Sequence, residues 1–238
     1  MRRAIEPLES RTLLSVTSLF DPAVGELSID SDAAADTIEV SIDAATNEVL
    51  VNDLTVDDTA GGTVTADELE SVMIDAGPGN DVVDLSALDP ITFPDLVDTE
   101  VVITSGDGAD VITGSGMDDV IQGDAGNDTI NASSMTESVT LFGGHGADKL
   151  IGGNNNDKLR GQGGSLDTLT GGPGNDTLDG GSGYDQVTES KDSDFTASNT
   201  ELVGAGTDTL NDIQVLSLTG GASNNTFDGS AFTGRGVE

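Results

Sequence analysis

The chain has 238 residues, 44 of them acidic and 8 basic, for a net charge of −36. That charge disfavours nucleic acid and anionic membrane surfaces as partners. The lack of cysteine rules out a disulfide framework, and no run of ~18 apolar residues offers a membrane span. With 3% aromatic residues and 32 glycines, little core can form, and the carboxylates keep such a chain solvated until cations neutralise them.

Residues 1–26 read as a leader-like sorting segment. Met1-Arg2-Arg3 is basic, yet Ala4-Ile5-Glu6-Pro7-Leu8-Glu9 carries two acids and a proline where the apolar part of an ordinary signal peptide should begin. Residues Leu8 to Ser15, LESRTLLS, resemble the LEPR-x-LL motif at the start of many surface or exported proteins of planctomycete bacteria. Ser10 stands where that motif has proline. The resemblance implies export or sorting.

Residues 27–104 are expected to form a β-rich cap. Leu27–Asp30, Thr37–Ile42, Glu48–Val51 and Leu69–Ile74 alternate apolar and polar side chains between Asp, Asn, Gly and Ala turns. The segment AGPGNDVVD (76–84) has a different character, because it matches the template of the next region with Asp81 and Val83.

Nine consecutive segments between Ser105 and Thr188 follow that template: a glycine-rich turn, aspartate at the sixth position, an aliphatic residue at the eighth. The sixth column holds Asp110, Asp119, Asp128, Asp148, Asp157, Asp167, Asp176 and Asp185, failing only in the degenerate segment ASSMTESVTLF (132–142). The eighth column runs from Ile112 to Val187 without exception. A three-residue strand turns its middle side chain to one face, so the eighth residue points inward. Turn glycines adopt left-handed angles and leave carbonyl oxygens uncovered. The sixth-position carboxylate joins those carbonyls, and oxygen donors of both kinds suit a hard divalent cation such as calcium, which takes about 6–8 of them. One turn cannot supply that many, so the ion must sit between stacked turns. Fixed-period self-similarity of this kind predicts a parallel β-roll.

These segments resemble the nonapeptide GGxGxDxUx of the RTX, or haemolysin-type, calcium-binding repeat family. The resemblance implies an all-β fold, a right-handed parallel β-roll with irregular β caps, in which two nonapeptides complete one coil. On that pattern Asp110, Asp128, Asp148, Asp167 and Asp185 line one edge. Asp119, Asp157 and Asp176 line the other, with a gap at the degenerate segment. Calcium would bridge successive aspartates with the carbonyls of turn glycines such as Gly143, Gly144, Gly146, Gly161, Gly163, Gly171, Gly172 and Gly174. The roll is placed at 105–188, after the cap at 27–104 with its outlying repeat and Asp81.

Residues 189–238 are expected to be degenerate repeats and a C-terminal β cap, since an open end would expose core and strand edge. GAGTDTLND (204–212) keeps Asp208 and Leu210 in repeat spacing, whereas GGASNNTFD (220–228) has Asn225 in place of the aspartate. The end of the chain suggests a shortened relative of longer repeat proteins.

Catalytic signatures are missing. His145 is the single histidine, at a variable repeat position, so there is no HExxH zinc site. There is also no GxSxG elbow, GxGxxG turn, phosphate-binding loop or EF-hand. The reading is therefore a non-enzymatic calcium-binding protein, secreted or at the cell surface and folding with calcium. Extracellular calcium modules bind at roughly 10⁻⁴–10⁻³ M, above cytosolic levels. Its expected partners are calcium ions and a cell-surface polymer or protein, in a structural or adhesive role. The alternatives are the non-catalytic repeat portion of an exported hydrolase or toxin, or a carbohydrate- or surface-binding module. Outward threonines at 129, 168 and 177 are interrupted by Val111, Lys149, Lys158 and Gln186, which weakens the last.

Overall fold

The structure is a computed structural model that describes residues 16–238 except 59, 60, 94, 95, 97–100, 136, 235 and 238. The basic N-terminal triplet and the LESRTLLS motif lie outside the described residues.

Two long sheets face each other, and the chain alternates between them. The first sheet takes Glu26–Asp30, Ser71–Asp75, Val101–Thr104, Asp119–Gln122, Thr140–Gly146, Lys158–Gly164, Thr177–Asp179 and Thr207–Asn211. The second takes Thr37–Ile42, Val82–Asp84, Val111–Thr113, Thr129–Asn131, Lys149–Ile151, Thr168–Thr170, Gln186–Ser190 and Val215–Thr219. Within each of these series neighbouring strands are parallel. The fold is a parallel β-roll, and its stacking register runs from Glu26–Asp30 to Val215–Thr219.

The x-U-x pattern puts one aliphatic side chain per strand into the core. On the first sheet Ile29, Ile74, Ile103 and Ile121 stack in register, followed by Leu141, Leu159, Leu178 and Leu210. On the second, Ile38, Val83, Ile112 and Ile130 lead to Leu150, Leu169, Val187 and Leu216. All are buried. Two aliphatic side chains per coil are few against the backbone that each coil has to order. The turns must therefore contribute stability of another kind.

The two edges of the roll differ. Turns from the first sheet to the second are short throughout. All long excursions lie on the opposite edge, where the chain returns from the second sheet to the first. There Leu85, Leu88, Phe93 and Leu96, between Val82–Asp84 and Val101–Thr104, are buried, as are Met135 and Val139 of the degenerate segment. At the N-terminal end Thr17–Asp21 and the strands Val49–Val51 and Leu54–Thr55 cover the sheets in antiparallel pairing. Near the other end a hairpin, Phe195–Ser198 with Glu201–Val203, is inserted between Gln186–Ser190 and Thr207–Asn211.

Candidate metal centres

On the regular edge the sixth-position aspartates form one continuous ladder. The backbone N–H of Asp36 donates to Oδ1 of Asp81 at 2.7 Å, and that of Asp81 to Asp110 at 2.8 Å. Asp110 donates in the same way to Asp128, Asp128 to Asp148, Asp148 to Asp167 and Asp167 to Asp185, each at 2.9 Å. The last N–H, of Asp185, goes to the side-chain oxygen of Gln214 at 2.5 Å. Sequence reasoning missed Asp36, because its segment SDAAADTIE has the aspartate and isoleucine in place but no glycine.

The opposite edge is divided. Its column reads Leu27, Val72, Val101, Asp119, Val139, Asp157, Asp176 and Asp208 by strand register. Apolar residues fill it where excursions pack against it, and Val139 stands at the gap. Toward the C-terminus the carboxylate ladder resumes: Val139 N–H to Asp157 Oδ1 and Asp157 N–H to Asp176 Oδ1, both at 2.9 Å, then Asp176 N–H to Asp208 Oδ1 at 3.0 Å.

A ladder bond uses only one oxygen of each carboxylate. The second oxygen, Oδ2, is buried without a hydrogen-bond partner in Asp81, Asp110, Asp128, Asp148, Asp167, Asp176, Asp185 and Asp208. In Asp36 the orphan is Oδ1, since Oδ2 accepts the Ser31 hydroxyl. A repeated orphan of this kind is costly unless a cation or proton meets it. Asp119 and Asp157 differ. Asp119 accepts the Ser115 N–H at 2.7 Å and the Ser115 hydroxyl at 2.6 Å, and Asp157 Oδ2 accepts the Gly153 N–H at 2.7 Å.

The second position of the repeat is left-handed at Gly77, Gly106, Asp124, Gly144, Gln162, Gly172 and Gly181, and not at Asp32, Ser115, Gly153 or Gly204. In the Ser115 and Gly153 turns the N–H of that residue donates to the aspartate of its own repeat. Only the two satisfied carboxylates in the column show this arrangement.

The first glycines form a cradle. A Cβ on Gly123 would lie 2.6 Å from Asp128 Oδ2 and 2.5 Å from the Gly143 carbonyl oxygen. A Cβ on Gly161 would press on Asp167 Oδ2 and lie 2.6 Å from the Gly180 carbonyl. Gly143 and Gly171 sit in the same way against Asp148 and Asp176. Gly144 and Gly172 supply left-handed angles, and Gly146 and Gly174 stack closely on the preceding coil's carbonyls. Gly163 is different: a Cβ there would meet the His145 ring at 3.4 Å and the Ser182 hydroxyl at 3.6 Å, with no carboxylate among its nearest atoms.

Fifth-position asparagines add a second ladder that sequence reasoning also missed. Asn80, Asn127, Asn156 and Asn175 accept the N–H of Ala109, Ala147, Asn175 and Thr207 at 2.8–2.9 Å.

Electrostatics follow from burial. Desolvation pushes the Asp128 and Asp176 carboxyls up to about 7, and Asp167 and Asp208 up to about 6. Burial likewise raises Asp81, Asp110, Asp148, Asp157 and Asp185, and takes Asp119 up to about 7. Among the described residues no three Asp, Glu or His side chains converge on one point. The Gly123 and Gly161 cradles each pair a carboxylate with a first-glycine carbonyl of the following coil, oxygen donors that suit calcium. Among the described residues no helix is long and apolar enough to cross a membrane.

A family model for the RTX calcium-binding nonapeptide repeat, in four copies, matches residues 104–134, 140–165 and 166–187. No curated protein and no solved structure matches the chain.

Proposed function

We propose, from the premise that residues 104–134, 140–165 and 166–187 carry RTX calcium-binding repeats, that the protein is a secreted or cell-surface scaffold whose folding is coupled to calcium. The observation that carries this reading is the row of buried carboxylates, each with one oxygen that no hydrogen bond reaches. Calcium at these oxygens supplies the neutralising charge that the turns lack. The residues that would hold it on the regular edge are Asp36, Asp81, Asp110, Asp128, Asp148, Asp167 and Asp185, and on the other edge Asp176 and Asp208. Carbonyls of first glycines such as Gly143 and Gly180 would complete the set. Asp119 and Asp157, their oxygens already bonded, hold their turns and bind no ion.

The role follows from this design. A chain of charge −36 repels itself where calcium is scarce, and an extended rod with solvated faces forms where calcium reaches millimolar levels. Such a rod serves as an ion-dependent spacer or adhesive support and needs no catalytic centre.

The test is a calcium titration followed by far-UV circular dichroism, with magnesium in parallel. The expected result is a cooperative gain of β signal with calcium, reversed by chelator and absent with magnesium. An unchanged β spectrum in chelator would sink the coupling.

A further inference from the structure

Alternation along a strand sends every second side chain out of the roll. On the first sheet these outward residues stand in two columns that strand register fixes. One column runs Met73, Val102, Val120, Thr140 and Lys158, and the other Asp75, Thr104, Gln122, Phe142 and Arg160. In a chain of charge −36, the four strands from Val101–Thr104 to Lys158–Gly164 send no carboxylate to this face. The first column is apolar at its N-terminal end: Met73 is 48% exposed, and Leu19, paired with Ser28 on the same face, is 61% exposed. A contiguous apolar strip of this kind marks an interaction surface.

The charges of the strip lie at opposite ends. Asp75 stands two strands before Asp119–Gln122, and Lys158 and Arg160 stand two strands after it. The Arg160 guanidinium lies over the Phe142 ring, 5.7 Å from its centroid. That places it on the side away from Asp179, its register partner on the following strand. Among the described residues neither Lys158 nor Arg160 has an ion-pair partner. Two unpaired cations in so acidic a chain call for a carboxylate from outside.

We propose that two copies of the chain pair face to face through the first sheet, about a two-fold axis that runs along the strand Asp119–Gln122. Such an axis reverses the stacking direction and keeps position along the strand. Val120 then meets Val120, Thr104 meets Phe142, and Arg160 of each copy meets Asp75 of the other. The contact is isologous, so every charge pair occurs twice. An axis along the stacking direction would instead set Arg160 against Lys158. Packed sheets lie about 10 Å apart with strands crossing at about 30°, which displaces the outermost rows, where Asp30 and Asp179 would otherwise oppose each other. The pairing rests on the calcium reading above, because chains of this charge approach only when calcium neutralises their edges.

The experiment is sedimentation velocity on the full chain in calcium over a range of concentrations, with circular dichroism to check the β signal of each variant. The wild type is expected to reach twice the mass of one chain as concentration rises. Val120→Asp brings two carboxylates together at the axis and is expected to stay monomeric with its β signal intact. Arg160→Asp and Asp75→Arg are each expected to raise the dimer dissociation constant about tenfold or more. An equimolar mixture of these two variants is expected to dimerise as the wild type does, since both contacts again join opposite charges. The mixture decides the matter if Val120→Asp does not fold. A folded wild type that stays monomeric would overturn the interface and leave the calcium reading standing. So would a dimer that none of these changes weakens, or a mixture no tighter than its components. A wild type without β signal in calcium would remove the calcium reading and the interface together.

Discussion

The backbone N–H of Asp148 donates to Oδ1 of Asp167 at 2.9 Å, and Asp167 Oδ2 is left buried with no partner. The bond joins two coils, sets the register of the stack and fixes the carboxylate so that its other oxygen faces the glycine cradle. Stacking and cation binding are thus properties of one side chain.

Asp148→Asn and Asp119→Asn should therefore behave differently. Asp148 has an orphan oxygen, whereas both Asp119 oxygens are met by Ser115. Asp148→Asn is expected to lower the number of calcium ions bound, and Asp119→Asn to leave it unchanged. Equilibrium dialysis distinguishes the two outcomes, and equal losses would contradict the assignment.

Calcium-free stability should rise on acidification. The buried carboxyls of Asp128, Asp176, Asp167 and Asp208 stand at about 6–7 in the fold, against about 3.9 in an unfolded chain. Between those values the folded state binds more protons, so stability increases as pH falls through 7 toward 4 and is lost as pH rises. Circular dichroism in chelator should show more β structure at pH 5 than at pH 8. Protons and calcium meet the same oxygens, so calcium affinity should weaken over the same interval.

Two glycine substitutions separate stacking from spacing. Gly126 has φ +149°, and a Cβ there would overlap the Gly108 carbonyl oxygen. Gly163 lies outside the left-handed region, and a Cβ there would meet the His145 ring at 3.4 Å and the Ser182 hydroxyl at 3.6 Å, ordinary contact distances. Gly126→Ala is expected to abolish the cooperative calcium-induced transition, and Gly163→Ala to preserve it. The check is the same titration on both variants.

The thin core makes each aliphatic residue count. Leu150 is fully buried between Ile130 and Leu169 in its ladder. Leu150→Ala should cost about 2–5 kcal/mol, seen as a higher calcium concentration at the folding midpoint. An unshifted midpoint would mean that the ladder contributes little.

Terbium offers a site-selective probe. Tyr184 is the single tyrosine in a chain without tryptophan, and it precedes Asp185 on the regular edge. Terbium bound there in place of calcium should luminesce on tyrosine excitation. Asp185→Asn is expected to remove most of that emission and Asp176→Asn to retain it.

Much of this was legible in the sequence because each repeat position has one physical task. The sixth and eighth columns located the carboxylates and the core, and the degenerate segment marked the place where Val139 fills the column. What was not legible depends on relations between coils. Asp36 was hidden because its turn has no glycine. Asp208 was legible as a repeat-spaced aspartate, but the hairpin insertion, which breaks the 18–20-residue step, hid its place beside Asp176. Asp119 looked like its neighbours in type and spacing. Ser115, a hydroxyl at the second position of that repeat, was the signal that its carboxylate is satisfied internally. The backbone angle at Gly153, which gives Asp157 the same treatment, leaves no mark in the sequence, since glycine stands at that position in either kind of turn.

The most direct test of the central claim is calcium anomalous diffraction from crystals grown with calcium. The account predicts anomalous peaks at about 2.3–2.6 Å from Oδ2 of Asp110, Asp128, Asp148, Asp167, Asp176 and Asp185, and none at Asp119. A folded roll with no peak beside those oxygens, or with the strongest peak at Asp119, would contradict it.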